Sequence, residues 1–133
     1  MILLPLIHVE LVSDTGRLTT IGLLDSGATI SFIPYEIADI LDLIPENPRR
    51  IDVETAGGTA NFFPVELKRL SLLSGEKIFS DFPNLVMLVP SERERDLPYV
   101  ILGRNSVFKR FYITFKDNIR KFVIVHHKWA RKN

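Results

Sequence analysis

Residues 12–29 read VSDTGRLTTIGLLDSGAT and hold two Asp-hydroxyl-Gly triplets, Asp14-Thr15-Gly16 and Asp25-Ser26-Gly27. Such a triplet can be an ordinary turn or can hold a reactive carboxylate, and the flanks differ. Asp14 follows Ser13 and precedes Gly16-Arg17 between two alternating runs, the setting of an exposed hairpin loop. Asp25 directly follows Ile21-Gly22-Leu23-Leu24 and precedes Gly27-Ala28. A carboxylate at the end of an apolar strand is expected to be partly buried. Burying an ion is costly unless it is paired or hydrogen-bonded, so Asp25 is the functional candidate. A capping or turn aspartate is the alternative from local context.

Outward from this stretch the chain is a series of short β-like runs broken by Gly, Pro, Asn and Asp. LIHVELV (6–12) alternates, with Ile7, Val9 and Leu11 on one face and His8 and Glu10 on the other. LTTIGLL (18–24) is the second strand of that hairpin. PYEIADILDL (34–43) is the best helix candidate: Pro34 suits a first helical position, Glu36 favours the N-terminal end, and Ile37, Ile40, Leu41 and Ile44 give an apolar stripe. IDVETAGGTANFFPVEL (51–67) reads as a hairpin turning at Gly57-Gly58, where positive φ is accessible. The β pattern continues through residues 68–90 to the charged run SERERD (91–96), a solvated loop by default. PYVILG (98–103) is a buried-strand pattern, NSVFKRF (105–111) allows one or two helical turns, and residues 112–125 form a hairpin around Asp117-Asn118. The expectation is one mostly β domain over residues 1–133, barrel or sandwich, with about 126–133 as a frayed tail.

Composition narrows the chemistry. Hydrophobic residues make up 46% and charged residues 25% of the 133, ordinary for a soluble globular protein, and the formal charge of +1 gives no field favouring nucleic acid or an anionic membrane. With no cysteine, thiol catalysis, disulfides and thiolate metal sites are excluded. His8, His126 and His127 lack metal-ligand spacing, and the basic end from Lys128 to Lys132 reads as a solvated tail. The start has no basic region and no cleavage pattern, and no apolar run reaches spanning length, so a cytoplasmic setting is the expectation.

LLDSGATISFIPYEIADIL (23–41), followed far downstream by YVILGRNSVFKRFYITF (99–115), resembles the retropepsin-like aspartic proteases. The likeness runs from about Leu6 to about Val125: a hairpin, an apolar-apolar-Asp-Ser-Gly-Ala loop, a glycine-tipped hairpin, then apolar-Leu-Gly with a short helix. The resemblance implies the closed-barrel-like acid protease fold, one helix after the catalytic loop region and a short C-terminal helix. It also implies an aspartic endopeptidase that uses neither metal nor organic cofactor. Two carboxylates sharing a proton are needed, and one chain offers only Asp25, so the partner implied is a second copy. By the same resemblance Ser26 bridges the two-fold axis and Gly27 donates its N–H to Asp25. Leu24, Leu102, Gly103 and Arg104 then support the site. Ala28, Thr29 and a flap tipped by Thr55, Ala56, Gly57, Gly58 and Thr59 would hold an extended peptide. Ile30 and Val100 are candidate pocket residues or core. Thr29 stands where retroviral members often carry an acid, Asn105 where many relatives carry Asp, and the partner of Arg104 is left open. The rival functions are a dimeric binding or scaffolding module of the same fold with weak or no peptidase activity, and a monomeric β-barrel interaction domain.

Overall fold

Alternating apolar runs become strands, and the strands wrap into a barrel. The computed structural model describes residues 5–55, 57–116 and 121–126. Strands β1 (Leu6–Val12) and β2 (Arg17–Leu24) pair antiparallel, and their turn is closed by the Ser13 N–H donating to the Gly16 carbonyl at 2.8 Å. Asp14 lies on that turn with a 92% exposed side chain, 3.6 Å from Lys68.

The chain continues through β3 (Ser31–Phe32), helix α1 (Tyr35–Ile40), β4 (Ile51–Thr55), β5 (Gly58–Ser74) and β6 (Lys77–Pro90). A single 3-10 turn (Arg93–Arg95) precedes β7 (Val100–Leu102) and the short helix α2 (Val107–Arg110). Hydrogen-bonded neighbours run β1-β2-β7-β3-β6-β5, and β5 pairs back onto β1 through Val9↔Leu72 and Leu11↔Leu70. That return closes a six-stranded barrel and leaves β4 attached outside it, on β5. Closure satisfies the edge groups that an open sheet would expose. Its interior is filled by fully buried Val9, Leu11, Leu67, Leu70, Leu72, Met87, Val89, Val100 and Leu102. No helix among the described residues is long and apolar enough to cross a membrane.

Two strand neighbours are parallel, and one of these pairs positions the Asp25 loop. β2 lies beside β7 with Gly22↔Val100, Leu23↔Ile101 and Leu24↔Leu102 in register. A Cβ at Gly22 would come within 3.1 Å of Leu102 Cδ1 and 3.4 Å of Val9 Cγ1, so the missing side chain leaves room for these two core side chains.

The helix departs from expectation in two ways. Pro34 is the N-cap, with extended ψ of 145°, rather than the first helical residue. The apolar stripe is also rotated: Ala38 and Leu41 are buried, whereas Ile40 is 69% exposed. At about 100° per residue, Ile40 sits roughly 130° from a face centred between Ala38 and Leu41. The helix also stops after six residues, where Asp42 takes a left-handed φ of 55°.

Strands β4 and β5 form the glycine-tipped hairpin, with Thr55↔Gly58 flanking the turn and Gly58 at a φ of 109°. β8 (Phe111–Lys116) and β9 (Lys121–His126) form a separate two-stranded sheet. Its expected turn at Asp117-Asn118 lies outside the described residues, as do Met1–Leu4 and Ala56. Of the expected tail, His126 is instead paired with Phe111 at the end of β9, and residues 127–133 lie outside the described residues.

Candidate active site

Asp25 is the first residue beyond β2, and the ladder with β7 carries one step past the strand. Its N–H donates to the Leu102 carbonyl at 3.0 Å, while the preceding Leu24 N–H donates to the Pro5 carbonyl at 2.9 Å. The Ala28 N–H returns to the Asp25 carbonyl at 3.2 Å, closing the Asp25–Ala28 turn. Inside that turn the Gly27 N–H donates to Asp25 Oδ1 at 2.9 Å. The backbone and one carboxylate oxygen are thus fixed. Asp25 is half-buried, and Ser26 and Gly27 are exposed. A Cβ on Gly27 would press to 3.2 Å on the same Oδ1, so a larger residue there disturbs the carboxylate first.

The loop is held from below by Gly103. Any Cβ on this residue would overlap the Ile30 carbonyl and come within 2.7 Å of the Ala28 oxygen. The next residue completes the clamp, with the Arg104 N–H donating to the Ala28 carbonyl at 2.9 Å. Fully buried Ser31 accepts the Gly103 N–H at 3.0 Å and donates to Asn105 Oδ1 at 2.7 Å. Ser106, also fully buried, lies 3.0 Å from Ser31 and donates to the Gly103 carbonyl at 3.1 Å. Asn105 Nδ2 donates to the Val86 carbonyl on β6 at 2.9 Å. A chain of hydroxyl and amide groups therefore joins β3, the segment after β7, and β6 directly beneath the carboxylate loop. Buried polar groups that satisfy one another in this way are rigid, because each unmade bond is expensive.

The segments 24–29 and 102–104 are therefore brought together. Arg104 finds its partner in Thr29: Nη2 donates to Oγ1 at 3.2 Å, on the exposed surface. Ile30 is half-buried, but Val100 is fully buried in the barrel core, so of its two sequence readings the core one applies. Thr55, Gly57, Gly58 and Thr59 lie on the β4–β5 hairpin, a separate part of the sheet; Ala56 lies outside the described residues. Thr59 Oγ1 donates to Glu54 Oε1 at 3.0 Å and lines an open depression of about 170 Å³ with Asp52, Asn61, Phe62, Glu92 and Arg95.

A family model described as aspartyl protease matches residues 9–106, a span that takes in both the Asp25 loop and the Gly103 segment. The chain belongs to the aspartyl protease family. Among solved structures, a retropepsin-like aspartic protease from Rickettsia conorii superposes with a TM-score of 0.58 at 18% identity, covering 84% of this chain and 76% of that one. At that identity the likeness establishes a shared fold, and the closed barrel is that of the retropepsin-like proteases. No curated protein matches the sequence.

Two features of this aspartyl protease were missed in the sequence. Ser31 carried a signal, a lone hydroxyl between Ile30 and Phe32 in an otherwise apolar run, but its partners are more than seventy positions away. SERERD is not merely solvated. Its Asp96 accepts the Tyr35 N–H at 2.6 Å and the Glu36 N–H at 3.2 Å, capping α1, and Arg93 stacks 5.8 Å over the Tyr35 ring.

Proposed function

We propose that this protein is an aspartic endopeptidase whose active form is a homodimer, with Asp25 of each copy meeting at the two-fold axis. The observation that carries this reading is the Gly27 N–H held 2.9 Å from Asp25 Oδ1 in a turn that the Gly103 segment clamps. A carboxylate fixed at one oxygen and left half-exposed can take a proton at the other. Exposure of Ser26 and Gly27 at the tip leaves room for a second copy to approach.

In the reaction one carboxylate removes a proton from water as its oxygen attacks the scissile carbonyl. The other, protonated, gives its proton to the carbonyl oxygen, forming a tetrahedral gem-diol. Collapse breaks the C–N bond, and protonation of the departing nitrogen yields an amine and a carboxylic acid. Like-charge repulsion between adjacent carboxylates favours the shared single proton this sequence requires. Ser26 hydroxyls hold the pair across the axis, and Leu24, Leu102, Gly103 and Arg104 keep each loop in place. Ala28 and Thr29 line the peptide's path, and the Thr55–Thr59 hairpin covers it, offering main-chain hydrogen bonds to an extended substrate.

The test is cleavage of a peptide library at several pH values between about 4 and 7, read by mass spectrometry for wild type and Asp25→Asn. Cuts that disappear in the variant support the peptidase. Equal cutting by both points to a contaminant or another residue. Silence from a preparation shown to be dimeric favours a binding module of the same fold.

A further inference from the structure

We propose that Arg104 selects substrates with an acidic side chain two or three residues from the cut bond; this rests on Asp25 being the reactive carboxylate. Three other cations have carboxylate partners: Lys68 with Asp14, Arg69 with Glu10 and Arg95 with Glu92. Among the described residues no carboxylate lies within 4.0 Å of Arg104, whose guanidinium has only the neutral Thr29 hydroxyl, at 3.2 Å. Most of its five donors are left for another partner.

The backbone that carries this charge is fixed. Arg104 N–H is tied to the Ala28 carbonyl at 2.9 Å, and Gly103 before it is wedged beneath the Asp25 loop. A turn such as Asp25–Ala28 keeps its ends within about 7 Å, and Thr29 follows immediately. An extended peptide advances about 3.3 Å per residue, so a guanidinium reaching past Thr29 meets a side chain two or three positions from the bond over Asp25. The planar fork suits a carboxylate held by two parallel hydrogen bonds. In a symmetric dimer both sides of the cut bond meet an Arg104, so the acidic preference appears on both.

The experiment uses peptide pairs differing only by Asp for Asn, or Glu for Gln, at the second or third position from the cut. Wild type is expected to favour the acidic member in kcat/KM by roughly two- to fivefold, the range of a partly exposed charge pair. The preference should shrink as salt rises. The acidic-to-neutral ratio should fall to about one in Arg104→Gln, and also in Thr29→Asp, where an internal carboxylate occupies the guanidinium. Because each ratio is taken within one protein, changes in overall activity cancel. No preference in wild type, or one that survives Arg104→Gln, overturns the assignment. The same pairs titrated calorimetrically against Asp25→Asn separate binding from cleavage. Tighter binding of the acidic member retains the Arg104 role even if wild type cuts nothing, an outcome that would sink the peptidase alone. Equal affinities, or no binding, overturn the Arg104 role whatever the cleavage data show.

Discussion

The Ser31 hydroxyl accepts the Gly103 N–H at 3.0 Å in a fully buried position, joining β3 to the segment after β7 beneath the Asp25 loop. Ser31→Ala strands that N–H and removes the donor to Asn105 Oδ1. Leaving a buried polar group unpaired costs about 1–3 kcal/mol. Urea denaturation should show a loss of that size, and a loss under about 0.5 kcal/mol would mean the network adds nothing.

Gly103→Ala tests the clamp directly. The new Cβ would overlap two backbone oxygens, Ile30 and Ala28, which cannot rotate away as a side chain could. Overpacking of this kind costs about 1–3 kcal/mol. The displaced loop should lower kcat/KM by on the order of a hundredfold. Gly16→Ala, where nothing lies within 4 Å, is the control and should change stability by less than about 0.5 kcal/mol.

Removing the carboxylate that caps α1 should loosen the helix. Asp96→Ala leaves the Tyr35 and Glu36 N–H groups without their acceptor. A lost N-cap costs about 0.5–2 kcal/mol, readable as a lower urea midpoint at unchanged slope. Asp96→Asn retains an acceptor oxygen and should recover part of the loss.

The two Asp-hydroxyl-Gly triplets should separate cleanly. Asp14→Asn removes a surface pair worth about 0–1 kcal/mol and should leave cleavage unchanged. Asp25→Asn keeps an acceptor for the Gly27 N–H, so the protein should fold while cleavage is lost. An Asp14→Asn protein that folds but does not cut would reverse the assignment.

If the active form is a homodimer, Asp25→Asn subunits should poison wild type. After equal mixing and exchange, random pairing leaves about a quarter of the dimers fully wild type, and activity should fall to that level at fixed total protein. Retention of half the activity would mean that each subunit works alone.

Much of this was readable locally. The alternation in residues 6–12, the apolar run before Asp25 and the paired glycines at 57–58 encode strands and turns through contacts only a few positions apart. The flanks of the two triplets distinguish a solvent loop from a strand end, and the structure places Asp14 and Asp25 accordingly. Ile40 shows the limit of local reading: helical spacing marks it apolar, but which face is buried depends on the barrel beneath α1.

Four things were decided only by tertiary structure: the return of β5 onto β1, the wedge of Gly103 under Ala28 and Ile30, the Ser31–Asn105–Ser106 network, and the Asp96 cap. Each joins residues about sixty or more positions apart. Side-chain periodicity carries information over a few residues, because it reflects the repeat of one helix or strand. A buried hydroxyl or a wedged glycine is defined by the atoms facing it, and barrel closure selects those atoms.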